Sequence, residues 1–264
     1  QQVTFTASNG ATVTTSSATT DTSGLATTTL TSTRVGDSTV TATLSDGSSA
    51  TVIVTFTQPY AEFAGMIAQG MNYNMDSGFP STGFDGAQFE IQLPSGLSLT
   101  DYTWNSSVSW LSFQSVSGKQ FVTMKGTADG DTAVITAMPK SGTGTAYRFT
   151  FSPKRWFVWN EIHDANLPEY NRRWCSSRGY QTASHQALTS AAPFRQSGPR
   201  GVGTLWGEWG DITRYNTTPL AVSSNTYMAD ETDSTTQYSV RLTTGWVYDV
   251  ASSVSTIAVC SKNL

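Results

Sequence analysis

The side chains that most often carry catalysis are sparse in this sequence. Its two histidines, His163 and His185, are too few for a histidine-rich metal site. No His-Glu-x-x-His or Gly-x-Ser-x-Gly motif occurs, although many hydrolases use these spacings to bind zinc or to expose a nucleophilic serine. No two carboxylates stand out as an acid and a base, so we expect no catalytic residue, no metal site and no enzyme activity.

The two cysteines, Cys175 and Cys260, are predicted to form a disulfide. They bracket most of a Trp- and Arg-rich C-terminal region, and the residues before them contain no cysteine. The bridge would close a loop of about 85 residues and, in the chain-entropy model, stabilise the fold by about 4 to 5 kcal/mol. It predicts an oxidising compartment.

Aromatic and charged side chains of the C-terminal region could carry noncovalent recognition. Trp206, Trp209 and Trp246 lie among glycines. A flat ring beside Arg214 or Arg241 suits contact with a protein or stacking on a sugar. We expect Trp206 to belong to the core, whereas a core role and a contact role both stay open for Trp209 and Trp246.

Residues 228–233 are predicted to form an acidic loop that presents carboxylates to a partner, although the solubility of a loop would explain the same residues. With the aromatic and basic candidates, they complete one set of predicted contact residues. The predicted partner-binding residues are Trp209, Arg214, Tyr215, Tyr227, Asp230, Glu231, Asp233 and Trp246.

The composition limits the classes of partner that the chain could bind. Charged residues make up 13% of the 264, the net charge is −4, and Lys and Arg form no run that could neutralise a phosphate backbone. Nucleic acid and a polybasic contact with a membrane surface are therefore not expected. No apolar run approaches the roughly 20 residues of a membrane-spanning helix, so we expect no membrane insertion by this part of the chain.

The first of three predicted domains, residues 1–57, reads as short strands at the spacing of a β-sandwich. The strands are separated by turns such as Asn9-Gly10 and Asp46-Gly47, where residues tolerate a positive φ. In 38–44, valine, alanine and leucine alternate with threonine, which predicts a half-buried strand. The predicted strands are 3–7, 18–21, 25–32, 38–44 and 50–56.

The second predicted domain, residues 58–152, is interpreted as another sandwich of immunoglobulin type. Its Gly- and Met-rich passage, 65–86, has weak periodicity and is predicted to be an irregular cap. The predicted strands that follow are 88–93, 102–105, 108–113, 121–125, 133–138 and 146–151.

The third predicted domain, residues 153–264, has a mixed α+β pattern. An aromatic strand is expected at 155–159, and Asn160 is predicted to cap a helix that runs to Arg178, with Gly179 as its C-cap and Pro168 interrupting or restarting it. Later strands are expected around Trp206, Tyr227, 238–242 and 257–260.

The segment VTFTASNGATVTTSSATTDTSGLATTTLTSTRVGDSTVTATLSDGSSATVIVTF, residues 3–56, resembles the bacterial immunoglobulin-like repeats of the intimin/invasin family of surface adhesins. By that comparison the first strands of this domain are missing. The stretch around Tyr102, Gly118-Lys119 and residues 131–137 also resembles such a domain, more weakly.

Residues 153–264 resemble the C-type-lectin-like domain at the tip of intimin and invasin. The resemblance rests on the early aromatic strand, Trp174-Cys175 with Gly179-Tyr180, the LWGEWG segment at 205–210, and YSVRLTTG at 238–245 with Val259-Cys260 after it. The Glu-Pro-Asn, Gln-Pro-Asp and Trp-Asn-Asp motifs of calcium-dependent sugar-binding lectins are absent. We therefore expect neither calcium nor another cofactor.

The resemblance implies a mostly β chain with tandem immunoglobulin-like β-sandwiches and an α+β C-type-lectin-like domain. It also implies a location on the bacterial cell surface, as the extracellular part of an outer-membrane adhesin that binds a host cell-surface protein. Loops 191–215 and 227–237 would offer the recognition surface. The alternatives are calcium-independent glycan binding, through Trp209 and Trp246, and self-association with neighbouring bacterial cells, through exposed edge strands or the cap at 65–86.

Overall fold

The computed structural model describes residues 1–160, 168–192, 197–215, 227–232, 236–251 and 257–264. Strands dominate these residues, and the chain divides into two compact units. The first unit comprises residues 1–61 with 138–147, and the second comprises 62–137 with 148–264. Among the described residues, no helix has the length and apolar character needed to cross a membrane.

Alternating small and β-branched residues form the sheet of the first unit, whose strand order is β3-β1-β5-β6, with β2 and β4 paired separately. Residues 1–57 bury just two apolar side chains, Val3 and Ala11. The edge strand β6 leaves Val52 and Ile53 about two-thirds exposed, at 58% and 64%. The strands are β1 (Gln2–Ala7), β2 (Thr12–Val13), β3 (Ser17–Thr19), β4 (Leu30–Thr31), β5 (Gly36–Leu44), β6 (Ser49–Phe56) and β7 (Tyr60–Ala61).

The second unit begins with two sheets, the first of them antiparallel. One has the order β13-β14-β11-β8-β9, and the other contains β12, β15 and β16 in that order. Side chains such as Phe89, Val122 and Ile135 are almost fully buried. The strands are β8 (Gly65–Ala68), β9 (Met71–Tyr73), β10 (Thr82–Phe84), β11 (Gln88–Gln92), β12 (Tyr102–Ser106), β13 (Leu111–Val116), β14 (Lys119–Met124), β15 (Ala133–Pro139) and β16 (Ala146–Phe151).

The prediction of an irregular cap at 65–86 is wrong. This passage contains β8, β9 and β10, and most of their residues are buried. Strands buried on both faces show no alternation of apolar and polar residues, which explains the weak periodicity. A two-residue turn with positive φ at Gln69 and Gly70 joins β8 to β9.

A third sheet connects the two predicted domains of the second unit. Its order is β10-β17-β22-β19-β20-β21, and β18 also pairs with β22. β10 pairs in parallel with β17, with Gly83 opposite Trp156. The predicted boundary at residue 152 therefore falls inside one compact unit. The strands are β17 (Arg155–Trp159), β18 (Gln181–Thr182), β19 (Tyr227–Thr232), β20 (Thr236–Arg241), β21 (Trp246–Ala251) and β22 (Ile257–Asn263).

The described helices of the second unit are short. The predicted helix is present as α1, which ends at Ser176 before a turn that contains Gly179 at φ 74°. Residues 161–167 lie outside the described residues. Trp206 lies on α3, so the strand predicted around it is wrong. The α-helices are α1 (Pro168–Ser176), α2 (His185–Leu188) and α3 (Leu205–Trp209), and single 3-10 turns lie at Leu99–Asp101 and Ile212–Arg214.

The predicted disulfide between Cys175 and Cys260 is confirmed. It joins the end of α1 to β22 across 85 residues, with the two Cα atoms 5.5 Å apart. Both cysteines are fully buried, and Val158, Trp174 and Tyr180 pack against them. The bridge therefore lies within the apolar packing between the helix and the third sheet.

Candidate partner-binding surface

Helix α3 positions the aromatic and acidic residues of the LWGEWG segment. Thr204 caps its N-terminus by accepting a hydrogen bond from the Gly207 N–H, and Gly210 ends it at φ 68°. A helix of five residues has no independent stability, so its contacts with the sheets must hold it in place. Leu205, Glu208 and Trp209 are fully buried.

The Trp209 ring belongs to an aromatic cluster in the core. Its centroid lies 5.1 Å from that of Phe79 and 5.6 Å from that of Phe84. Its indole Nε1 donates a 2.9 Å hydrogen bond to Thr82 Oγ1. A tryptophan that is packed on its faces and satisfied at its nitrogen has no surface for a partner.

Tyr215 is also buried, at 7% exposure, and its hydroxyl donates a 2.9 Å hydrogen bond to the Trp209 carbonyl. Burial raises the pKa of this hydroxyl well above its ordinary value. Trp209 and most of the Tyr215 side chain are therefore inaccessible to a partner, and we remove them from the predicted contact residues. Because Leu205 and Ile212 are also fully buried, residues 197–215 are not the exposed loop that we expected.

Glu208 is a buried carboxylate surrounded by donors. Its oxygens accept hydrogen bonds from the backbone N–H and the hydroxyl of Ser81 and of Thr82, at 2.5 to 3.2 Å, and from the Gly203 N–H at 2.9 Å. Burial raises the pKa of Glu208 above its ordinary value, and the donated hydrogen bonds oppose that rise. The side chain thus fixes α3 and the 201–203 turn against the start of β10.

The carbonyls at the end of α3 accept hydrogen bonds from Tyr73 on β9 and from Arg200, which also donates to a carbonyl of β8. Arg200 donates to the Gly207 carbonyl at 2.9 Å and to the Ala68 carbonyl at 2.9 Å. The Tyr73 hydroxyl donates to the Gly207 and Glu208 carbonyls at 3.1 and 3.0 Å, and burial raises the pKa of Tyr73 to about 12. These bonds replace the intrahelical partners that a helix C-terminus lacks.

Sequence reasoning missed this network. The sequence offered no reason to select Glu208 among the carboxylates, and Gln69, whose amide donates a 2.6 Å bond to the Asp211 carbonyl, lies 142 residues from its partner. The one local signal is an acid between two tryptophans in LWGEWG, because a charged residue in an apolar segment needs hydrogen-bond partners when it is buried.

Arg214 remains exposed, as a contact residue must be. It lies in the 3-10 turn after α3, its side chain is 75% exposed, and its Nε is 3.4 Å from Asp211 Oδ2. It borders a cavity of about 580 Å³, which we call the Arg214 groove. The groove is lined by Ile67, Gln69, Asn72, Gln88, Glu90, Lys119, Phe121, Arg214 and the edge of Tyr215.

The Arg214 groove offers mixed chemistry. An ion pair within it joins Lys119 Nζ to Glu90 Oε2 at 2.8 Å, and its amides include Asn72 and Gln88. Ile67 and Phe121 add apolar surface. Polar groups around a small apolar centre, beside an accessible arginine, are typical of protein recognition surfaces.

Trp246 is the other exposed candidate, at 38% exposure. It is the first residue of β21, opposite Arg241 on β20, and its ring centroid lies 6.5 Å from that of Tyr248. The Arg241 guanidinium lies 5.7 Å from the centroid of Tyr248. The strand pair therefore places the Arg241 cation near the ring of Tyr248, with Trp246 beside that ring.

The acidic candidates fall on or near a strand. Tyr227, Asp230 and Glu231 belong to β19, which pairs with β20 and β22, so the prediction of a loop at 228–232 is wrong. Asp233 lies outside the described residues. Among the described residues, no group of three or more histidine, cysteine or acidic side chains is arranged to hold a metal ion.

Comparison with known proteins assigns the two sandwiches. Residues 1–57 match the family model of the bacterial immunoglobulin-like domain, group 1, and residues 64–151 match invasin, domain 4. The chain is 34% identical over 190 residues to the inverse autotransporter adhesin YeeJ of Escherichia coli (strain K12), covering 70% of this chain and 8% of that protein. It is 27% identical over 199 residues to invasin of Yersinia enterocolitica, covering 75% and 22%.

Solved structures share the fold. The crystal structure of invasin, described as a bacterial integrin-binding protein, covers the whole chain with a TM-score of 0.63 at 23% identity, and the chain spans 52% of it. An intimin–Tir90 complex matches 76% of this chain and 96% of its own, with a TM-score of 0.52 at 16% identity.

The architecture is thus that of tandem immunoglobulin-like sandwiches followed by a C-type-lectin-like domain. The chain belongs to the intimin/invasin family. Membership places it on the bacterial cell surface, outside the membrane. It spans less than a quarter of the length of the two curated relatives.

Proposed function

We propose that this chain is the ligand-binding part of a surface adhesin, which attaches bacteria to host cells by noncovalent binding of a host cell-surface protein. The observation that carries the proposal is the sequence relationship to proteins named as an adhesin and as invasin, which covers at least 70% of the chain. The invasin structure is described as integrin-binding and an intimin structure contains Tir90, so both relatives bind a protein.

The surface proposed for contact lies in the second unit and consists of Arg214 with its groove, and Trp246 with Arg241. Trp and Arg are the residues in which binding energy most often concentrates at protein interfaces. Glu208 and Arg200 support Arg214 by fixing the end of α3. The receptor contact would therefore be made by side chains on a rigid base, which limits the entropy lost on binding.

The proposal is tested with the whole chain, 1–264. A fragment that starts at residue 153 would lose β10, the neighbour of β17, and would expose the core around Trp156. Labelled protein is added to epithelial cells and to bacteria, with and without a chelator, and captured molecules are crosslinked and identified. We expect saturable, chelator-resistant binding to epithelial cells that protease treatment of the cells abolishes. Binding to bacteria alone would contradict the proposal.

Contact residues are tested by Arg214→Ala and Trp246→Ala. Each is expected to weaken cell binding about tenfold or more, since removal of an interface hot spot costs upwards of roughly 1 to 2 kcal/mol. Tyr170→Ala is the matched control, because Tyr170 is 46% exposed on α1 and was not a predicted contact. Unchanged affinity in both variants, with their fold intact, would remove this surface from the proposal.

A further inference from the structure

A second cavity lies where strands β17, β18 and β22 of the third sheet meet α2. It has a volume of about 320 Å³ and contains none of the predicted contact residues. We call it the Arg155 cavity. Its polar lining comprises Arg155, Gln181, Thr182, Ser184, Ser261, Lys262 and Asn263.

Strand register explains why these polar side chains converge. Arg155 lies directly opposite Asn263, and Gln181 lies directly opposite Ser261. Residues that face each other across a ladder share one side of the sheet, and so do Ser261 and Asn263, two positions apart on β22. Four polar side chains therefore project from the same side, beneath the first turn of α2.

The hydrogen-bonding capacity of the cavity is largely unused. Arg155 donates from Nε to Asn263 Oδ1 at 3.4 Å, and among the described residues its two terminal guanidinium nitrogens have no hydrogen-bond partner. Ser184 Oγ accepts the Ala187 N–H as the cap of α2. Within the described part of the chain, no aspartate or glutamate lines the cavity. In this described lining, two cations, Arg155 and Lys262, lie without an acid among hydroxyls and amides. This lining favours a ligand that is anionic and rich in hydroxyls.

We propose that the Arg155 cavity binds one carboxylate-bearing sugar residue, such as a sialic or uronic acid. The guanidinium would hold the carboxylate through two parallel hydrogen bonds, and the side chains of Gln181, Ser261 and Asn263 would hold the sugar hydroxyls. The volume lies at the small end of the range of about 300 to 1,000 Å³ for small-molecule sites, which suits a single sugar ring.

Neutral sugars fit this cavity less well. Among its lining residues there is no aromatic ring on which a sugar face could stack. The affinity would then depend on the pairing of the guanidinium with a carboxylate. Binding is therefore expected to be weak, in the millimolar range, and to decrease as salt screens the charge.

The site is independent of the proposed host-protein contact, because none of the residues proposed for that contact lines the cavity. An experiment can therefore contradict the acidic-sugar site without contradicting the host-protein contact, and the reverse. Loss of acidic-sugar binding in a protein that still attaches to cells would leave the adhesin proposal intact, and the converse result would leave this site intact.

The test titrates the 1–264 protein with N-acetylneuraminic acid, glucuronic acid, glucose and inorganic phosphate, followed by NMR chemical shifts at 50 and 500 mM salt. Saturable binding of at least one acidic sugar is expected, at least tenfold tighter than that of glucose and weaker at high salt. Equal binding of glucose, equal binding of phosphate, or no saturation by either acid would overturn the proposal.

The variant Arg155→Gln is expected to lose at least tenfold in affinity for the acidic sugar, whereas Lys140→Gln, which removes a cation far along the chain from the cavity, is expected to retain it. Gln181→Ala removes an exposed lining side chain without touching the core, and a loss of a few-fold is expected. If Arg155→Gln does not fold, Gln181→Ala decides the result. Unchanged affinity in the folded variants would show that the sugar binds elsewhere.

Discussion

Glu208 has no contact with solvent, yet its oxygens accept six hydrogen bonds, four of them from three backbone N–H groups that cannot reorient. Such an arrangement stabilises a carboxylate, while burial penalises its charge. The net effect is a raised pKa, so the folded protein holds a proton at this site at pH values where the unfolded chain has released it.

The stabilising contribution of Glu208 is therefore expected to be greatest below its ordinary pKa of about 4.5 and to fall as the pH rises towards the folded pKa. Glu208→Gln cannot ionise and removes this dependence. The difference in unfolding free energy between the native protein and the variant should thus be more favourable to the native protein at pH 4 than at pH 7. Urea unfolding at both pH values measures it.

Glu169→Gln is the control for this experiment. Glu169 pairs with Arg173 on the surface of α1, with its side chain 62% exposed. Its replacement should change the unfolding free energy by no more than a few tenths of a kcal/mol at either pH. A Glu208→Gln difference that grows from pH 4 to pH 7 would contradict the raised pKa.

Gly83 is required by close packing. It has an ordinary strand conformation, but an added Cβ would lie 2.5 Å from Trp156 Cζ3 and 2.7 Å from Met124 Sδ. Gly83→Ala is expected to destabilise the second unit by about 1 to 3 kcal/mol, as overpacking of a core does. The shift in the midpoint of thermal unfolding measures this loss.

Gly65→Ala is the matched comparison, because the nearest atom to its added Cβ would be the Tyr73 carbonyl oxygen at 3.4 Å. Both glycines lie in strands of the second unit. The cost at Gly65 should be well below that at Gly83. Equal losses would show that strand propensity, and not contact with Trp156, determines the effect.

The different outcomes for Trp209 and Trp246 show what sequence could reveal about single residues. Both lie near glycines, and their surroundings in sequence gave equal support to a core role and a contact role. Trp209 is buried by Phe79 and Phe84, which lie more than a hundred residues away. Contacts at that separation leave no local pattern, so the structure was needed to distinguish the two.

At the level of elements, strands with a clear local pattern, either alternation or a run of aromatic residues, were predictable. The predicted strand at 38–44 is the main part of β5, and the one at 155–159 is identical to β17. β8 and β10 were missed because their residues are buried on both sides of the sheet. The five residues of α3 form too short a segment to show helical periodicity, and Thr204 is their one sequence signal.

The edge strand β6 is long, uncharged and free of proline, with Val52 and Ile53 exposed. Such an edge can pair with a strand of another molecule. We expect the 1–264 protein to associate at high concentration, and Ile53→Lys to reduce this association several-fold, since a charge on an edge strand opposes pairing. Analytical ultracentrifugation over a range of concentrations measures the effect.

Leu25→Lys is the control, since Leu25 is also about two-thirds exposed, at 60%, but lies outside the strands. It makes the same change in charge and removes a similar apolar side chain. Equal effects of both substitutions would attribute the association to net charge, and a monomer at all concentrations would exclude the edge strand as a route to self-association.

The two units of the chain differ in how many apolar side chains they bury. The second unit has a continuous aromatic core and a disulfide, whereas residues 1–57 bury two apolar side chains. The sequence predicted three domains, with a boundary at the change of composition after residue 152, whereas the structure divides into two compact units. The sheet that crosses residue 152 was not predictable, since a parallel pair between β10 and β17 joins segments more than 70 residues apart.

The disulfide acts on the unfolded state of the whole second unit. Replacing both cysteines, in Cys175→Ala with Cys260→Ala, is expected to lower the free energy of unfolding by about 2 to 5 kcal/mol, because the open chain gains entropy on unfolding. Thermal unfolding of the native protein with and without a reductant gives an independent measurement. A change below about 1 kcal/mol in both would show that packing around the bridge, and not the cross-link, stabilises this region.

The pairing of β10 with β17 has a mechanical consequence. In the proposed function, a bacterium held against flow would pull on its attachment, and the pull on the region proposed for receptor contact must reach the rest of the polypeptide. The single connection through residues 152–154 would carry all of this tension if the sheets on either side were separate. Here the β10–β17 ladder and the hydrogen bonds of Glu208 and Arg200 also connect the sheets on either side. The tension is therefore divided among many bonds, which must break together.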